Sequence, residues 1–157
     1  KKKRLNYRAW PHENWKEFLN LVPKDTNIIL IGAKGEEGFF EPLKPYNRNI
    51  IDLVGKITIS QMVSVVEKSK ALIVTDTGTA HIASAVNTAV FCLIGPTPAE
   101  QTGPYKTPFN EVHIISAGLS CSPCYKTDVM KACKDNICMK NIKASKVLNL
   151  LNEAKIL

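Results

Sequence analysis

Two groups of residues in this sequence are of types and spacings that can do chemistry. The first is Asp76-Thr77-Gly78-Thr79-Ala80-His81, which follows the apolar run of residues 71–74 and precedes the small residues Ala83, Ser84 and Ala85. A strand buried on both faces, a polar turn and the start of a helix fit that pattern. The first N–H groups of such a helix lack intrahelical acceptors, and the helix dipole places roughly half a positive charge there. Gly78 lets the backbone come close to an anion, Thr77 and Thr79 add hydroxyls, and His81 lies within the first turn. The chemistry implied is binding of a phosphate or diphosphate. An Asp-Thr-Gly triplet alone would be a helix cap. It also occurs in aspartic proteases, but with β surroundings and a second triplet that this chain lacks.

The second group is Cys121, Cys124, Cys133 and Cys138, in the spacing C-x2-C-x8-C-x4-C. The first pair is compatible with a tetrahedral zinc or an iron–sulfur site, but the later spacings are not those of a standard ribbon. Structural zinc, free thiols and disulfides formed in isolation are the three readings, and a catalytic role fits least. Cys92, inside an apolar run, reads as a small core residue.

The elements around these residues alternate. Pro11 can open a helix whose Trp15, Phe18, Leu19 and Val22 share one face. Residues 26–32 read as a short strand ending at Gly32, 35–40 as a weak, glycine-containing helix and 49–53 as a third apolar piece. Residues 58–68 read as a helix starting near Thr58 or Ser60, with Ile59, Met62, Val63 and Val66 on one stripe. Such alternation, with right-handed crossovers, predicts a Rossmann-like three-layer α/β domain with a mainly parallel sheet. After Gly95 the prolines at 96, 98 and 104 predict an irregular loop. Residues 111–116 read as a peripheral strand, the cysteine segment 121–138 as irregular, and 144–157 as a final helix. With no repeat or low-complexity linker, residues 1–157 read as one domain. In such sheets ligands bind beyond the carboxyl ends of the strands, where residues 32–36, 76–81 and 95–103 all fall.

The chain has 157 residues, 45% of them hydrophobic and 22% charged, which excludes a largely disordered protein. Its formal charge of +7 includes the opening Lys1-Lys2-Lys3-Arg4 and favours phosphate-bearing ligands or an anionic surface. A solvated lysine-rich surface accounts for the same charge equally well. The chain holds no apolar run of about 18 residues and no signal-peptide core after the basic start. A cytoplasmic protein is expected, and the opening at Lys1 reads as that of a fragment. No Gly-x-Gly-x-x-Gly follows any strand, which argues against an ordinary dehydrogenase. The basic residues are not interleaved with aromatics, which argues against a nucleic-acid binder.

Residues 75–85, then 91–97 with Gly-Pro-Thr and Thr102-Gly103-Pro104, together resemble the signature of glycosyltransferase family 9, the ADP-heptose:lipopolysaccharide heptosyltransferases. Arg8-Ala9-Trp10-Pro11, Gly32-Ala33-Lys34-Gly35-Glu36 and residues 53–58 extend the match over most of the chain. The resemblance implies the carboxyl-terminal, donor-binding half of a GT-B glycosyltransferase, lacking the acceptor domain and the first strand of its own domain. The catalytic base would lie in that absent half, so no catalytic residue is expected here and the chain alone should bind donor without turning over. Carried over by position, the resemblance makes Arg8 a donor-phosphate contact, Glu36 a ribose contact and Ile57 an adenine contact. Asp76 would face the sugar hydroxyls, with Thr77, Gly78 and His81 around the diphosphate. It implies inverting transfer from ADP-heptose to a lipopolysaccharide core acceptor, next to the inner membrane, without a catalytic metal. No Asp-x-Asp metal motif occurs. A non-enzymatic nucleotide-binding module on the same scaffold is the alternative.

Overall fold

Apolar character on both faces of a strand demands cover on both sides, and β4 (Ala89–Leu93) is buried at every position. The computed structural model describes residues 7–157, so the basic opening at residues 1–4 lies outside the described residues. β4 lies between β3 (Ala71–Thr75) and β5 (Val112–Ile115), both parallel to it, in the order β3-β4-β5. β1 (Ile28–Leu30) and β2 (Ile50–Asp52) form a second parallel pair.

The side-chain alternation of β4 separates two cores. Phe91 and Leu93 pack with Trp10, Phe18, Leu19, Met139, Val147 and Leu151, whereas Val90, Cys92 and Ile94 pack with Val66, Ala80 and Ala83. The first core lies under α1 (His12–Leu21), α7 (Ile137–Lys140) and α8 (Ala144–Glu153), the second under α3 (Ile59–Glu67) and α4 (Gly78–Ala85). Both strand groups feed both cores. Ile28, Ile50, Ala71 and Ile73 join the first, and Ile31, Leu72 and Val74 the second. The expected three-layer parallel architecture is therefore present.

Local chemistry sets the helix starts. Thr58 accepts from the Gln61 N–H while the Gln61 side chain accepts from the Thr58 N–H, a reciprocal cap that starts α3 where expected and stabilises it by about 1 kcal/mol. Trp10 is fully buried, meets Trp15 edge-on at 4.7 Å and donates its Nε1–H to the Ile142 carbonyl at 2.9 Å. That bond ties the start of α1 to the chain between α7 and α8.

Three segments depart from expectation. The proline-rich stretch after Gly95 contains a one-turn helix, α5 (Ala99–Thr102), because Pro98 occupies the N-cap, where no N–H is needed. Its carbonyl accepts from the Gln101 and Thr102 N–H groups. The cysteine segment holds α6 (Asp128–Ala132) and α7, and Thr127 caps α6 by accepting from the Met130 N–H. The glycine-containing helix shrinks to α2 (Glu37–Phe40), continued by a 3-10 turn, Glu41–Tyr46. Among the described residues no helix is long and apolar enough to cross a membrane.

Candidate functional site

Thr75 ends β3 opposite Leu93, the last residue of β4, so Asp76 and the 94–97 loop leave the sheet side by side at its carboxyl edge. Asp76 is only 6% exposed. A buried carboxylate must be paired, and two distant parts of the chain supply the partners. Thr102 at the end of α5 donates its hydroxyl to Oδ2 at 3.1 Å, and Nη1 of Arg8 lies 3.8 Å from the same oxygen. The Arg8 side chain keeps 39% of its surface in solvent, so its guanidinium can still meet a ligand.

Beside this carboxylate α4 begins. Thr77 is its N-cap in extended backbone (φ −144°, ψ 167°), and its side chain makes no capping bond among the described residues. Thr77 and Gly78 are exposed, and a Cβ at Gly78 would meet nothing within 4 Å. Room therefore exists in front of the first N–H groups of α4. Below the site, burial foremost and then the Asp76 charge push the Cys92 thiol up to about 12. Cys92 stays a neutral core thiol, as its apolar setting suggested.

The other expected site residues have their described contacts elsewhere. Glu36, exposed at the N-cap of α2, accepts the Ala33 N–H at 2.7 Å and shapes the turn after β1. Ile57 is half-buried in the turn leading to the Thr58 cap. His81 is exposed and lines a groove of about 340 Å³ with Ser84, Tyr105 and Phe109, whereas the described partners of Asp76 are Arg8 and Thr102.

The segment holding the cysteines braces the site. The N–H groups of Cys124 and Tyr125 both donate to the Pro96 carbonyl at 2.8 Å, and the Ser122 hydroxyl donates to the Gly95 carbonyl. Gly95 leaves room for α7: a Cβ there would stand 2.6 Å from Met139 Sδ and 2.9 Å from Cys138 Sγ. Asn136 donates to the Ala9 carbonyl at 3.0 Å and the Tyr7 hydroxyl to that of Cys133 at 3.3 Å, so both neighbours of Arg8 are tied to the same segment. The Arg8 guanidinium lies 5.1 Å from the Tyr125 ring centroid. All five cysteines are free thiols. Burial, and then the neighbouring thiols of the same segment, push Cys124 and Cys138 upward. Among the described residues no group of three His, Cys, Asp or Glu side chains is arranged to hold a metal ion.

Sequence reasoning did not single out Thr102 as a partner of Asp76 or Tyr125 as a partner of Arg8. The Thr-Gly-Pro triplet was the only local signal for the first. For the second no local signal exists, because the contact joins residue 8 to residue 125.

The family model of glycosyltransferase family 9 (heptosyltransferase) matches residues 3–134. The chain is similar to lipooligosaccharide heptosyltransferase 2 of Haemophilus influenzae, at 25% identity over 71% of this chain and 34% of that protein. It is similar to lipopolysaccharide heptosyltransferase 1 of Pseudomonas aeruginosa, at 31% identity over 76% of this chain and 33% of that protein. The chain thus spans about a third of the length of these curated relatives. The structure of E. coli heptosyltransferase WaaC with ADP shares the fold, with a TM-score of 0.72 at 20% identity over 96% of this chain and 41% of that one.

Proposed function

Because the chain belongs to glycosyltransferase family 9 (heptosyltransferase), we propose that it is the donor-binding part of an inverting glycosyltransferase that transfers heptose from ADP-heptose to a lipopolysaccharide core acceptor. The observation that carries the reading is the buried Asp76 carboxylate, paired with Arg8 and Thr102 beside the open start of α4. This edge offers one anionic group for sugar hydroxyls next to cationic and N–H groups for a diphosphate.

The chemistry follows from charge. An acceptor hydroxyl, deprotonated by a base supplied from outside this chain, attacks the anomeric carbon through an oxocarbenium-like transition state. Negative charge grows on the departing ADP, where the Arg8 guanidinium and the first N–H groups of α4 stabilise it. Asp76 accepts hydroxyl donors of the sugar and fixes its orientation, since hydrogen bonds to a charged acceptor are the strong ones. Glu36, exposed at the turn after β1, accepts from the ribose, and Ile57 and His81 complete the donor contacts. Acceptor binding and work beside the cytoplasmic face of the inner membrane belong to the same reading.

Transfer from ADP-heptose by the whole protein tests it. Asp76→Asn keeps the shape and the Thr102 contact but removes the charge, and a loss of transfer of about a hundredfold or more is expected. Unchanged transfer in a folded variant would remove Asp76 from the site.

A further inference from the structure

We propose that Lys126 is a second cation of the donor diphosphate site and that Tyr125 is the positioning residue that holds Lys126 and Arg8 on one aromatic ring. This rests on the donor-site reading above and extends it to a segment that reading does not use.

The Arg8 guanidinium carbon lies 5.1 Å, and Lys126 Nζ 5.3 Å, from the same Tyr125 ring centroid. Each is a cation–π contact, which attracts either cation alone. One ring thus gathers two cations, of which Arg8 also lies 3.8 Å from Asp76 Oδ2. An anion reached by both gains from each, and a diphosphate with charge on two phosphates fits such a pair. Lys126 is exposed, so its ammonium is open to such a ligand.

The backbone supports the assignment. Lys126 has φ 62°, a left-handed conformation in which glycine is the usual residue and a lysine is strained. Strain of this kind collects at sites where a side chain is needed in one place. The segment is also fixed to the site on both sides. The Tyr125 N–H is bonded to the Pro96 carbonyl beyond β4, and on either side of Arg8 Asn136 holds the Ala9 carbonyl and the Cys133 carbonyl holds the Tyr7 hydroxyl. Arg8 and Tyr125 are thus brought together at the carboxyl edge of the sheet from distant parts of the chain.

Calorimetric titration of the protein with ADP, with adenosine as the phosphate-free control, tests the proposal. Lys126→Gly suits the left-handed backbone, so its melting temperature is expected within about 4 °C of the parent. It is expected to weaken ADP about five- to tenfold and to leave adenosine binding unchanged. Tyr125→Leu is expected to weaken ADP at least as much, and Tyr125→Phe, which restores a ring, to recover it. ADP affinity unchanged in Lys126→Gly, or an equal loss for ADP and adenosine, would overturn the proposal and leave the donor-site reading standing. Absence of saturable ADP binding by the parent protein would overturn the donor-site reading itself.

Discussion

Two strand-to-helix turns, each at the carboxyl end of a parallel strand, are built in opposite ways. The turn after β1 holds itself together: Glu36 accepts the Ala33 N–H at 2.7 Å and Glu37 the Gly35 N–H at 2.8 Å, all on exposed residues. The turn after β3 is held from a distance, with Arg8 from before α1 and Thr102 from after β4 meeting on a buried Asp76. A locally closed turn presents a carboxylate that water already solvates. A turn closed by long-range contacts presents a carboxylate in a drier setting, where each charge counts for more. The second turn should therefore carry the larger share of donor recognition.

The largest test of that contrast is Arg8→Ala. Losing one charged hydrogen-bonding partner of a diphosphate should weaken ADP-heptose about ten- to a hundredfold, read as a rise in donor KM. Removing Arg8 also leaves the buried Asp76 carboxylate with the Thr102 hydroxyl as its remaining described partner, so a stability loss of about 1–3 kcal/mol is expected beside the loss of affinity. Glu36→Gln should cost less, about two- to fivefold in affinity for ADP, since an exposed carboxylate gives up little when its charge is removed. Equal effects of the two variants would erase the contrast, and a larger effect of Glu36→Gln would reverse it.

The smallest effect concerns the support of the first turn. Asp52 at the end of β2 accepts the Val54 N–H and faces Lys44 and Lys56, both at 3.0 Å, while the Gly55 N–H donates to the Gly32 carbonyl. Hydrogen bonds from Lys44, then Lys56, then Val54 hold the Asp52 carboxyl well below its ordinary 3.8. A carboxyl lowered on folding adds stability above its unfolded value, and that stability is lost as pH falls through the folded one. Urea midpoints at pH 5, 3 and 2 should therefore fall more for the parent than for Asp52→Asn. Parallel curves would remove Asp52 from the support of this turn.

What could be read from the sequence divides along the same line. The capped start of α3 at Thr58 and Gln61 and the apolar face of α1 were legible, because each depends on residues within one or two turns. So was the burial of β4, whose five buried positions follow from the apolar run around Cys92. The helix start after Asp76 was legible for the same local reason. The Thr102 and Tyr125 contacts were not, since they are set by how the prolines bend the 96–104 stretch and by where the cysteine segment crosses it. The helical turn between Pro98 and Gly103 was missed because proline density signals an irregular loop even where a single turn fits between two of them. Gly95 was read as loop punctuation, but its lack of a side chain admits Met139 and Cys138 against the end of β4.

The central claim is that the edge around Asp76 and Arg8 holds a nucleoside-diphosphate sugar, and calorimetric titration of the protein with ADP-heptose, against free heptose as control, tests it most directly. Saturable binding of one ADP-heptose per chain, with free heptose far weaker, is the result this account predicts. Failure of ADP-heptose to bind, or binding no tighter than that of free heptose, would contradict it.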